Sequence, residues 1–213
     1  MRRHSVLAGA GAVGATLVLL MSGCSSTATE AEGEQSTQDQ ESTSQAASSH
    51  NDVDATFARD MIPHHEQAIV MSDIVLAKDG IDPRVSELAE QIKAAQNPEI
   101  ETMRGWLAQW GTDSAPSGHE GHDMSGEMSG DMSAHEEMGM MTEQQLEQLR
   151  QAQGAEASRL FLDGMIAHHE GAVRMAQTEI DGGQSEAARQ LANDIVDTQQ
   201  REIVVMKQIL GTL

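Results

Sequence analysis

The chain has 213 residues, with two Phe, two Trp and no Tyr set against fourteen Met and nine His. So little aromatic volume argues against a β-sandwich or barrel, whose cores draw on aromatic and β-branched side chains, whereas a hydrophobic fraction of 38% is enough for one modest core. A formal charge of −21 excludes nucleic acid and anionic lipid as electrostatic partners and favours cations, although most of such charge simply solvates a surface.

The first element is an address. Residues 1–23 pair a short basic start, Arg2-Arg3, with an apolar run from Val6 to Met21, the pattern of a secretory signal. Met21-Ser22-Gly23-Cys24 resembles a bacterial lipobox, which makes Cys24, the only cysteine, the expected lipidation site and rules out an intramolecular disulfide. The expected location is the outer face of the cell membrane (or its periplasmic side), with the lipid as the only membrane contact. Residues 24–52 are rich in Ser, Thr, Gln, Ala and Glu and too polar to offset ordering entropy. They read as a disordered tether with a coil reach of about 30 Å.

A repeat then organises residues 53–211. Phe57, Met61-Ile62, His64-His65-Glu66, Ala68 and Met71 recur as Phe161, Met165-Ile166, His168-His169-Glu170, Ala172 and Met175. Leu88-Ala89, Ile92, Gln96, Glu99-Ile100 and Met103 recur as Leu191-Ala192, Ile195, Gln199, Glu202-Ile203 and Met206. Phe57, Met61, His64, Ala68, Met71 and Val75 follow at intervals of three and four, which is one helical stripe. Asp82-Pro83 suits a helix start, and Asp79-Gly80 and Asp181-Gly182-Gly183 suit turns. The fold class expected is therefore all-α: two helical hairpins, 53–111 and 142–211, packed as a four-helix bundle with internal pseudo-symmetry. Thr142 to Gln145 reads as a capping box opening a short lead-in helix that ends or bends near Gly154.

Between the hairpins, residues 112–141 are acidic and interrupted by Gly and Ser, so they read as a mobile loop. Its candidate metal ligands are His119, His122, Met124, Met128, Met132, His135, Met138, Met140 and Met141.

At about 100° per residue, His64 falls in the middle of the inward stripe, His65 on its shoulder and Glu66 opposite, and the same holds for His168, His169 and Glu170. Pro63 cannot donate to the Arg59 carbonyl and is expected to bend the helix. An imidazole with thioethers three residues before and seven after, His64 with Met61 and Met71 and His168 with Met165 and Met175, is a soft, neutral donor set. It suits Cu(I) better than Mg, Ca or ferric iron. Adjacent histidines diverge, so a site needs ligands from the other hairpin or the loop. Met103 and Met206 are expected to be core.

The doubled Met-Ile-(Pro/Ala)-His-His-Glu-x-Ala-(Ile/Val)-x-Met motif resembles that of the bacterial family catalogued as domain of unknown function 305, over about residues 52–211. The resemblance implies a ferritin-like four-helix bundle, export and, for some members, copper binding and tolerance. It implicates Met61, His64, His65, Met71, Met165, His168, His169 and Met175. The favoured function is a lipid-anchored copper-binding protein that sequesters the metal or passes it to a protein partner. No catalytic residues are assigned. A di-metal oxidase is disfavoured because Met61 and Met165 stand where a Glu-x-x-His motif needs carboxylates. The remaining reading is a structural interaction module with buried histidines.

Overall fold

The structure, a computed structural model, describes residues 49–112 and 138–213. The signal segment, Cys24, most of the tether, and the loop residues His119, His122, Met124, Met128, Met132 and His135 lie outside the described residues. Within them the chain forms α1 (Asp52–Leu76), α2 (Pro83–Trp110), a short α3 (Glu143–Gln151), α4 (Gly154–Gly182) and α5 (Glu186–Leu210), with no strand. The all-α bundle expected from the repeat is what the chain adopts.

Helix ends follow local chemistry. The Asn51 side chain accepts from the Val53 and Asp54 amides while Asp54 accepts the Asn51 amide, a reciprocal capping box. His50 stacks on Trp110, with ring centroids 4.6 Å apart, so the fold begins a few residues before position 53. Asp82 caps α2 ahead of Pro83, and Thr142 with Gln145 forms the capping box of α3. α1 runs unbroken through Pro63, and α2 through Pro98.

α1 packs along α2 and α4 along α5, and the two hairpins meet chiefly through α1 against α4; α2 and α5 barely touch. α1 and α4 run antiparallel. The Asn51 side chain at the start of α1 donates to the Gly182 carbonyl at the end of α4 (2.8 Å), and Lys78 just past α1 donates to the Arg150 carbonyl just before α4 (2.7 Å). Apolar burial is divided between two clusters. One holds Ala68, Met71, Val75, Leu88, Ile92, Phe161, Met165 and Met206; the other holds Phe57, Met61, Met103, Ala172, Ala176 and Ile195. Met103 and Met206 are fully buried core residues, as expected.

At the junction of the hairpins Asp54 also accepts from the amides of Gln184 (3.1 Å) and Ser185 (2.8 Å). Burial works against its charge, but the Asn51 amide, the Glu179 carboxyl and these two amides hold it below the usual carboxylate range. Glu179 of α4 is fully buried beside it, and burial followed by the Asp54 carboxylate pushes the Glu179 carboxyl up to about 8. At neutral pH Glu179 is therefore mainly protonated beside the Asp54 carboxylate.

Candidate metal centre

Because α1 and α4 carry the same motif and cross antiparallel, the stripe of one meets the stripe of the other at the histidines. His64 and His168 lie ring against ring, centroids 3.7 Å apart and planes tilted by 35°. His65 and His169 are not shoulder residues: all four histidines are fully buried. The neighbouring helix of each hairpin accounts for that burial. His65 Nε2 donates to Glu99 Oε2 of α2 at 2.7 Å, and His169 Nε2 donates to Glu202 Oε2 of α5 at 2.7 Å. Glu66 and Glu170 stay exposed, as expected, and pair with Arg104 and Lys207.

The ring nitrogens divide in an informative way. His64 Nε2 sits 3.0 Å from the Met138 carbonyl, which can only accept, so Nε2 carries the hydrogen. Among the described residues no hydrogen-bond partner reaches Nδ1 of His64, His65, His168 or His169, nor Nε2 of His168. A buried polar atom left unpaired costs about 1–3 kcal/mol. Burial, opposed by the Met138 carbonyl and assisted by the neighbouring imidazoles, pushes His64 down to about 3. Burial and the adjacent histidines put His168 well below its usual value. Both rings are neutral across the physiological range and keep lone pairs available.

The methionines separate by position. Met71, Met141 and Met165 share one apolar cluster, and Met61 lies in the other with Met103. Met175 is partly buried and lines a cavity of about 380 Å³ with Phe57, Asp60 and Glu179, so it is drawn toward the hairpin junction. No three His, Cys, Asp or Glu side chains converge as a metal site among the described residues. A site centred on His64 and His168 must therefore draw on thioethers or on groups outside that set.

A strap crosses the pair. Residues 138–141 run over α1 and α4, held by Gln67, whose Nε2 donates to the Met141 carbonyl (2.9 Å) and whose Oε1 accepts from the Met141 amide (2.7 Å). On α4 the strap is seated with almost no clearance. A Cβ on Gly171 would lie 1.5 Å from the Met138 carbonyl oxygen, and one on Gly139 (φ +75°) would lie 2.0 Å from the Ala167 carbonyl oxygen. Met138 and Met141 are thus brought to the bundle, while Met140 lines an open cavity of about 730 Å³ beside it.

Glu99, Glu202, Gln67 and the Met138 carbonyl were not singled out as site groups by the motif. Glu99 and Glu202 recur at matching positions of the repeat, and that recurrence was the available signal. Gln67 is found only by asking where the repeat fails, because its counterpart is Gly171.

A family profile described as "Domain of unknown function (DUF305)" matches residues 54–210. The fold is similar to the crystal structure of a DUF305 fragment from Deinococcus radiodurans: TM-score 0.63, 29% identity, 76% of this chain and 98% of that one. It is equally similar to a candidate secreted DUF305 protein from Streptomyces coelicolor: TM-score 0.63, 31% identity, 75% and 91% coverage. CopM in its Cu(II)-bound form aligns with TM-score 0.58 and 31% identity over 75% of this chain and 96% of that one, and CopM structures with Cu(I) and with Ag align comparably. No curated protein matches the chain.

Proposed function

The chain belongs to the DUF305 family, and from that premise we propose that it is a copper-binding protein whose principal site is the His64–His168 pair. The observation that carries the reading is the pair itself: two buried, neutral imidazoles in ring contact, with Nδ1 of both and Nε2 of His168 unpartnered among the described residues. Such groups are anomalous in a core unless a ligand completes them. The copper- and silver-bound forms of the similar CopM support soft metal as that ligand.

The donors suit Cu(I). Neutral nitrogen needs no deprotonation to bind, and the thioethers of Met71, Met165 and Met141 in one cluster and Met61 in the other supply soft sulfur. The His65–Glu99 and His169–Glu202 contacts fix ring orientation and leave Nδ1 as the nitrogen with the lone pair, the arrangement by which carboxylates tune histidine ligands. The role is binding rather than turnover, because Met61 and Met165 occupy the positions where a di-metal oxidase would carry carboxylates.

The copper is cargo, held or handed to a partner outside the membrane. The lipobox-like segment at Cys24 supports export and lipid anchoring, and the likeness to a secreted-protein candidate supports export. None of the described helices is long and apolar enough to cross a membrane. Competition titration with a Cu(I) chelator tests the reading. The mature protein is expected to withdraw Cu(I) from the chelator, and a variant carrying His64→Ala and His168→Ala is expected to lose the tight site; equal uptake by both proteins would refute it.

A further inference from the structure

The two repeats match at every histidine yet differ at three positions of one helix face. Asp60, Pro63 and Gln67 of α1 correspond to Gly164, Ala167 and Gly171 of α4. Gly164, Gly171 and Gln67 among them are in contact with residues 138–141. On α4 the two glycines form the seat: Gly171 admits the Met138 carbonyl and Gly164 admits the Met141 sulfur, which a Cβ there would meet at 2.8 Å, while Gly139 of the strap itself lies against the Ala167 carbonyl oxygen. On α1, Gln67 closes over the strap from the other side with two hydrogen bonds to Met141. The broken symmetry at this face is a docking arrangement for one segment, and that segment ends in a hydrogen bond to His64.

We propose that residues 138–141 are a gate on the His64–His168 pair, and that the Met138 carbonyl is the positioning group that holds His64 as the Nε2–H tautomer with Nδ1 directed to metal. The proposal rests on the copper-binding reading and adds its control. With the strap seated, His64 has one free nitrogen and the pair is covered. With the strap lifted, the carbonyl is withdrawn, Nε2–H loses its acceptor, the tautomer is no longer fixed, and the pair opens to exchange. Because backbone atoms make the key contacts, the Met138 side chain is dispensable for positioning: Met138→Ala keeps the carbonyl.

Two variants unseat the strap by different means. Gly171→Ala overfills the seat, and Gln67→Ala removes both hydrogen bonds without adding volume, so it remains informative if the first disturbs the bundle. The first readout needs no metal: ¹⁵N histidine NMR of the apo protein. Wild type and Met138→Ala are expected to show His64 as a single Nε2–H form, whereas Gln67→Ala and Gly171→Ala show a mixture. The second is the rate at which Ag(I) or Cu(I) passes to a competing chelator, expected to rise at least tenfold in both unseated variants. Leu107→Ala, a core deletion in the cluster of Met103, controls for general destabilisation and is expected to exchange at the wild-type rate.

An unchanged His64 tautomer or an unchanged exchange rate in both unseated variants would overturn the gate while leaving the copper reading intact. Failure of wild type to bind either ion would overturn both. Equal acceleration by Leu107→Ala would assign the effect to bundle stability and likewise overturn the gate.

Discussion

His64 and His168 occupy equivalent positions of two repeats and meet at the crossing of α1 and α4, ring centroids 3.7 Å apart, fully buried. The internal symmetry makes this contact: a motif placed on two antiparallel helices related by a two-fold axis brings its central residue against its own copy. The contact also defines the chemistry, because two imidazoles so close and so dry are both held neutral.

The carboxylates behind the outer histidines are expected to tune affinity. Glu99→Gln and Glu202→Gln keep shape but remove the charge that orients His65 and His169. Loss of such a partner lowers metal affinity by about 10–100-fold. Chelator competition on each variant checks this, and symmetry predicts similar losses for the two.

Sulfur and volume can be separated at Met165. Met165→Leu conserves size within the cluster of Met71 and Phe161, so stability is expected to change by less than about 1.5 kcal/mol. The sulfur contribution to the Cu(I) X-ray absorption spectrum is expected to fall. Met103→Leu serves as the contrast: comparable stability and unchanged copper coordination. Urea denaturation and absorption spectra measure the two effects independently.

The Asp54–Glu179 junction predicts a pH dependence of stability. Glu179 has a folded value near 8 against an ordinary 4.5, so folding takes up a proton between those limits. Its contribution is fully present below about pH 4.5 and is lost as pH rises toward about 8. Asp54, held low, has the opposite sign: its contribution is present above its ordinary value and lost as the solution is acidified through the folded value. Glu179→Gln, which stays neutral, is expected to flatten the decline between pH 5 and pH 8 seen in denaturation midpoints of wild type.

The bundle was legible because its signals are periodic: two stripes per hairpin, turn residues between them and a repeat that demands a partner face. The burial of His64 and His168 followed from the same stripe. His65 and His169 were placed too far outward because a helical wheel treats one helix at a time, and their burial is produced by Glu99 and Glu202 on the neighbouring helices. Met175 looks equivalent to Met71 in sequence, yet Met71 is fully buried and Met175 lies by the cavity at the hairpin junction. The strap contact was not legible at all, since a backbone carbonyl leaves no residue signature; only the exchange of Gln67 for Gly171 between repeats marks where it docks.

The central claim is that copper is bound by His64 and His168, and X-ray absorption of the Cu(I)-loaded mature protein tests it most directly. Nitrogen and sulfur scatterers are expected together, with the nitrogen contribution reduced in the His64→Ala, His168→Ala variant. An absorption spectrum unchanged by that double substitution, or one lacking nitrogen in the wild type, would contradict it.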